Sequence, residues 1–159
     1  MYLLSPFVWI DEAGGWRIAV RAVPRSEQKT DKIARIHLGC SADGVRFVLD
    51  DMATLAPGSD ADRDGCEDPT VLLQDGVHRS LFYNGANDKT QWRIGWACLD
   101  AYDTTIVERG DEPLITPPPV TGDETNIAFC SSAVQTDEAT WLLYTVSDKD
   151  VFRVRIAFA

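Results

Sequence analysis

Basic residues are scarce in this sequence: 15 lysines and arginines stand against 25 aspartates and glutamates, for a formal charge of −10. A surface of that sign repels phosphate backbones, which argues against nucleic acid as a partner. No apolar run approaches the length that crosses a bilayer, so no membrane partner is expected. The opening Met1-Tyr-Leu-Leu-Ser-Pro6 carries no basic segment and meets a proline at once, unlike a secretory signal. The expected compartment is the cytoplasm. The four cysteines form no C-x-x-C pair, which argues against a structural zinc site. No stretch shows the period of an amphipathic helix, and 51–56 offers one turn at most.

What the sequence has is repetition. One unit reads Pro6-Phe-Val-Trp-Ile-Asp11, then Gly14-Gly-Trp-Arg-Ile-Ala-Val20, then Arg35-Ile-His-Leu-Gly-Cys40. A second reads Thr70-Val-Leu-Leu-Gln-Asp75, Leu81-Phe-Tyr-Asn84 and Arg93-Ile-Gly-Trp-Ala-Cys98. A third reads Ser132-Ala-Val-Gln-Thr-Asp137, Trp141-Leu-Leu-Tyr144 and Arg153-Val-Arg-Ile-Ala-Phe158. The aspartates Asp11, Asp75 and Asp137 are 64 and 62 residues apart, and the arginines Arg35, Arg93 and Arg153 are 58 and 60 apart. Two independent markers thus share one period.

Within each unit the pattern is that of strands. Ile36, Leu38 and Cys40 alternate with other residues, as do Ile94, Trp96 and Cys98, and Val154, Ile156 and Phe158. Asp43-Gly44 and Asp75-Gly76 supply turns, because both residue types accept positive φ. An outer fourth strand is predicted at 45–49 and at 105–108, and the third unit stops before its own. Cys40 and Cys98 are expected to fill the core, and all four thiols to be free. Four strands per unit at this period predict an all-β, propeller-like domain. The blades fall at about 5–56, 66–116 and 126–159. Three blades do not close a ring, so a homodimer completing six blades is expected.

The stretch richest in chemistry is Asp60-Ala-Asp-Arg-Asp-Gly-Cys-Glu-Asp-Pro69. Glu67 and Asp68 precede the innermost strand of blade two, where paired carboxyls suit glycoside cleavage. The plainer reading is a solvated Asp-Pro turn. Asp60, Asp62 and Asp64 open a pattern like a calcium loop, but Val71 stands where an EF-hand needs its glutamate. Solvated acidic residues are the plainer reading here too. The carboxyl chemistry calls for no cofactor, and calcium is the one metal the pattern offers. His37 and His78 belong to no visible Ser/His/Asp set and are read as non-catalytic. Of the five tryptophans, four suit strand packing; Trp92 is the least regular and the best candidate to stack on a sugar.

These residues resemble glycoside hydrolase family 130, the five-bladed β-mannoside phosphorylases and β-mannosidases. Arg35-Ile-His-Leu-Gly-Cys-Ser-Ala-Asp-Gly-Val-Arg-Phe47 is similar to a blade-one stretch of that family. Gly65-Cys-Glu-Asp-Pro69 is similar to its Glu-Asp-Pro-Arg signature, and Asn126-Ile-Ala-Phe129 with Leu143-Tyr-Thr-Val-Ser-Asp148 to its last blade. The resemblance implies a shortened form without the two middle blades. It also implies Asp68 as catalytic acid, Glu67 as a supporting carboxyl, and Arg21 and Asp148 as sugar or phosphate contacts. Thr70 replaces the signature arginine, which shifts the expectation from phosphorolysis toward hydrolysis, or toward sugar binding or protein interaction without turnover.

Overall fold

The computed structural model describes residues 1–25, 33–58, 62–73, 76–88, 91–116, 126–148 and 151–158. All of its regular elements are strands, and among the described residues no helix is long and apolar enough to cross a membrane. The first sheet is antiparallel in the order β1 (Tyr2–Ile10), β2 (Trp16–Val23), β3 (Arg35–Ser41) and β4 (Val48–Leu49). The second unit repeats it with β5 (Gly65–Leu73), β6 (His78–Asp88), β7 (Gln91–Asp100) and β8 (Ile106–Arg109). The third contains β9 (Asn126–Gln135), β10 (Thr140–Asp148) and β11 (Val151–Phe158). This is the expected propeller-like architecture.

The repeat extends to single hydrogen bonds. The fourth strand meets the third at Gly39↔Leu49 and Cys40↔Val48 in the first unit, and at Ala97↔Arg109 and Cys98↔Glu108 in the second. The chain then returns to the third strand, as Leu55 bridges Ile36 and Ile115 bridges Ile94. The segment 51–56 thus takes this return path instead of a helical turn. Adjacent units are stitched by short parallel contacts, Ala34 to Gly65 and Trp92 to Ile127. The turns also match. Asp43 accepts the backbone N–H groups of Val45 and Arg46 at 2.9 and 2.8 Å. Asp103, 60 residues on, accepts the Thr105 N–H at 2.9 Å.

Residues paired across neighbouring strands share a sheet face. One face of blade one therefore presents Phe7, Ala19, Ile36 and Leu38 to blade two, which answers with Val71, Leu81, Tyr83, Ala97 and Leu99. The opposite face of blade two presents Leu72, Phe82, Ile94 and Trp96 to Ala133, Leu142 and Tyr144 of blade three. The core is thus two seams between blades, and blade two contributes a face to each.

Several side chains depart from the expected pattern. Cys40 is exposed and Cys98 half-buried, so neither fills the core, whereas Cys66 is fully buried. Cys40 pairs with Arg17 near the outer end of β3, beyond the reach of the seam. The thiols of Cys40, Cys66 and Cys98 are free; the Cys130 side chain lies outside the described residues. His78 begins β6. Trp9 and Trp96 pack against the seams as expected, but Trp16 and Trp141 are exposed.

Candidate functional site

The site is built on a break in β5. Its strand starts at Gly65, earlier than the sequence pattern indicates, so Glu67, Asp68 and Pro69 lie within the strand. The ladder pairs Glu67 with Asn84 and then skips to Thr70 with Phe82. Asp68 sits in the skipped step with φ of 46°, a left-handed conformation that non-glycine residues seldom adopt. Proline at 69 has no N–H to contribute to a ladder, which suits it to a bulge. In an unbroken strand Glu67 and Asp68 would point to opposite faces; a bulge re-aims a side chain.

Each carboxyl has its own partner. The Asn84 side chain donates from Nδ2 to Asp68 Oδ2 at 3.0 Å, and Asn84 is only 1% exposed. Glu67 is buried and meets Arg21 of blade one, Nη1 to Oε2 at 2.7 Å. Burial pushes the Glu67 carboxyl up to about 7; Arg21 opposes that rise and neighbouring Asp68 adds to it. Arg21 Nε is buried and has no hydrogen-bond partner among the described residues. Arg21 thus crosses from β2 to the first strand of the next blade.

Beneath this pair lies a second polar group. Asp62 is fully buried, accepts a hydrogen bond from the Tyr83 hydroxyl at 2.7 Å and pairs with Arg109. Its other oxygen accepts the Gly58 N–H at 3.1 Å, and Arg109 also donates to the Ala56 carbonyl at 2.9 Å. Burial raises the titration of the Tyr83 hydroxyl and of the neighbouring Cys66 thiol. This group ties Ala56, Gly58 and Asp62 to the outer strand β8.

The remaining sequence candidates are dispersed. Asp64 is exposed, and Asp60 lies outside the described residues. With Asp62 engaged by Arg109 and Tyr83, no group of three or more metal-ligating side chains stands together among the described residues. Trp92 is half-buried at the stitch between blades two and three, opposite Ala86. Asp148 ends β10 opposite Asn126 and Val151, and its side chain lies outside the described residues. The structure therefore joins Arg21, Glu67 and Asp68. It adds Asn84, which sequence reasoning passed over as the last residue of a strand; an amide ending an otherwise apolar strand was the available signal.

The fold defines the class: an all-β, propeller-like domain of four-stranded antiparallel units. No protein-family model and no curated protein matches the sequence. Solved structures do match in fold. Sucrose-6-phosphate hydrolase from Lactobacillus gasseri superposes with a TM-score of 0.76 at 16% identity, over 99% of this chain and 32% of that one. A thermostable family-43 glycoside hydrolase gives 0.75 at 16% identity, over 99% and 55%. The β-1,2-mannobiose phosphorylase from Listeria innocua gives 0.72 at 18% identity, over 98% and 43%. The chain spans between about a third and a little over half of these neighbours.

Proposed function

We propose that the protein acts on carbohydrate and cleaves a glycosidic bond, with Asp68 as general acid. The observation that carries this reading is the adjacent pair Glu67 and Asp68 on the bulge, set in unlike surroundings. Carboxyls whose environments differ in this way are the groups that divide proton transfer between them. Glu67 keeps a proton within the pair near neutrality. Asp68, aimed by the bulge and steadied by Asn84, gives its proton to the leaving oxygen as the glycosidic bond breaks, while water attacks the anomeric carbon and its proton returns to the carboxyl pair. Arg21 orients Glu67 and, with Asp148 and Trp92, holds the sugar. The names of the fold neighbours, which include two hydrolases and a mannobiose phosphorylase, favour a glycoside as substrate. The sequence resemblance favours a β-mannoside, with hydrolysis ahead of phosphorolysis because Thr70 replaces the signature arginine.

A second copy of the chain would complete the ring, setting two such sites around one channel. The exposed apolar residues on the outer faces of the end blades, Val8 and Ile10 on one and Val134 and Trp141 on the other, support this assembly. A cytoplasmic setting agrees with the free thiols at Cys40, Cys66 and Cys98.

The test is turnover of β-mannosides with and without phosphate, alongside solution mass by light scattering. Asp68→Asn should abolish turnover while leaving the urea midpoint within about 1 kcal/mol of the parent. Undiminished turnover in that variant removes Asp68 as the acid. A monomer at all concentrations removes the shared channel.

A further inference from the structure

Blade one carries a groove on the face turned away from blade two, about 620 Å³ in volume. Its lining includes Arg25, Arg35, His37, Asp51, Met52 and Ala53. That volume falls within the range of small-molecule sites. The groove stands apart from the carboxyl pair: Arg35 and His37 share their face with Ala22 and Val20, whereas Arg21 points to the other side.

The repeat distinguishes this face from an ordinary seam. His37, Gly39 and Ser41 occupy the positions that Gly95, Ala97 and Leu99 hold 58 residues later. In blade two, Ala97 and Leu99 are fully buried against blade one. A Cβ on Gly95 would lie 2.4 Å from the Tyr83 ring, so nothing larger fits there. Blade one has an imidazole and a hydroxyl at the corresponding places. His37 Nδ1 lies 3.1 Å from the Asp50 carbonyl, which can only accept, so Nδ1 carries the hydrogen and Nε2 remains for a ligand.

The charge on this face also runs against the chain as a whole. Two arginines line the groove against one carboxylate, Asp51, on a protein of net charge −10. Both arginines are exposed, and Arg25 rests over the Tyr2 ring at 4.9 Å. Guanidinium groups bind planar oxyanions through paired N–H donors. Met52 and Ala53 offer an apolar flank for the body of such a ligand.

We infer that this groove binds the oxyanion, phosphate or carboxylate, of a sugar-sized molecule. Arg35 and Arg25 clamp the anion, His37 Nε2 accepts from a hydroxyl of the ligand, and Asp51 limits affinity by repulsion. The inference is independent of glycoside cleavage and concerns the single chain, because a second copy seated on Val8 and Ile10 would cover the same face.

Calorimetric titration with mannose 6-phosphate, glucuronate and mannose tests it. Saturable binding of either anionic sugar, and none of mannose, is expected; which anion binds tells phosphate from carboxylate. Arg35→Ala should weaken that binding by about tenfold or more, the loss typical of a hydrogen bond to a charged group. Asp51→Asn should strengthen it. Arg46→Ala, an exposed arginine outside the groove, should leave it unchanged. The exposed arginines are replaced without loss of fold, which the thermal midpoint checks. Failure of both anionic sugars to saturate overturns the inference, as does equal weakening by Arg35→Ala and Arg46→Ala.

Discussion

The innermost strands of blades one and two contain the same break. In β1 the ladder jumps from Leu4↔Arg21 to Phe7↔Ala19, skipping Ser5 and Pro6. In β5 it jumps from Glu67↔Asn84 to Thr70↔Phe82, skipping Asp68 and Pro69. Ser5 has φ of 48° and Asp68 of 46°, and every matched residue lies 63 positions on. One backbone device is used twice, then, with different chemistry laid over it. Blade one fills it with Leu4 and Ser5, blade two with Glu67 and Asp68. Their cross-strand partners, Arg21 and Asn84, occupy matching positions too, yet both serve the second bulge, because Arg21 reaches across the seam to Glu67. The bulge belongs to the fold; the carboxyl pair belongs to one blade only.

The largest expected effect concerns the seam that supports the carboxyl blade. Removing Asp62 leaves the half-buried Arg109 without its carboxylate and Tyr83 without its acceptor. Asp62→Ala should cost about 4 kcal/mol in urea unfolding, in the range for breaking a buried ion pair. Leu142→Ala, in the wholly apolar seam to blade three, should cost about 3 kcal/mol through its cavity alone. A smaller loss for Asp62→Ala than for Leu142→Ala would show that the polar seam is not the more demanding one. Next comes Gly95→Ala. Its Cβ would sit 2.4 Å from the Tyr83 ring, so a cost of about 2 kcal/mol is expected from overpacking. An unchanged midpoint would mean Tyr83 moves aside easily.

The blade period was legible because turn aspartates, strand-opening arginines and alternating apolar residues all reflect local backbone requirements. Asp43 and Asp103 show the reason: each caps a turn with its own carboxylate, a constraint written within a few residues. The burial of Asp62 was not legible, because its partners Tyr83 and Arg109 lie 21 and 47 residues away. An Asp-x-Asp-x-Asp pattern reads as a solvated or metal-binding loop until those partners are in place. Cys40 misled for a related reason. Strand alternation assigns a side chain to a face, but not to the part of that face the next blade covers. Asp68 was found as half of a carboxyl pair and Arg21 through family likeness, whereas Asn84 needed the register.

The pH dependence sharpens the contrast between Leu4 and Glu67. Burial raises Glu67 from 4.5 to about 7. The folded state therefore binds its proton more tightly than the unfolded chain does. Its contribution is fully present below about pH 4.5 and is lost as pH rises through 7. The total is about 3 kcal/mol at 1.36 kcal/mol per pH unit. Glu67→Gln should flatten stability between those values and leave the variant more stable than the parent at pH 8. Equal slopes for parent and variant would show that Arg21 keeps the carboxylate charged throughout.

The smallest effect tests whether the two bulges share their strain. A left-handed conformation costs an L-residue about 1 kcal/mol, a cost that glycine escapes. Glycine also loses more chain entropy on folding, by about 0.5–1 kcal/mol. Ser5 is exposed and no described hydrogen bond holds its side chain, so Ser5→Gly should be neutral or stabilising by about 0.5 kcal/mol. Asp68→Gly relieves the same backbone but removes the carboxylate that accepts from the buried Asn84 amide at 3.0 Å. A hydrogen bond to a charged acceptor contributes about 1.5–3 kcal/mol, so Asp68→Gly should destabilise. Paired urea titrations measure the difference. If both variants gain equally, Asn84 does not hold Asp68 in place, and the two bulges differ only in the charge that blade two carries.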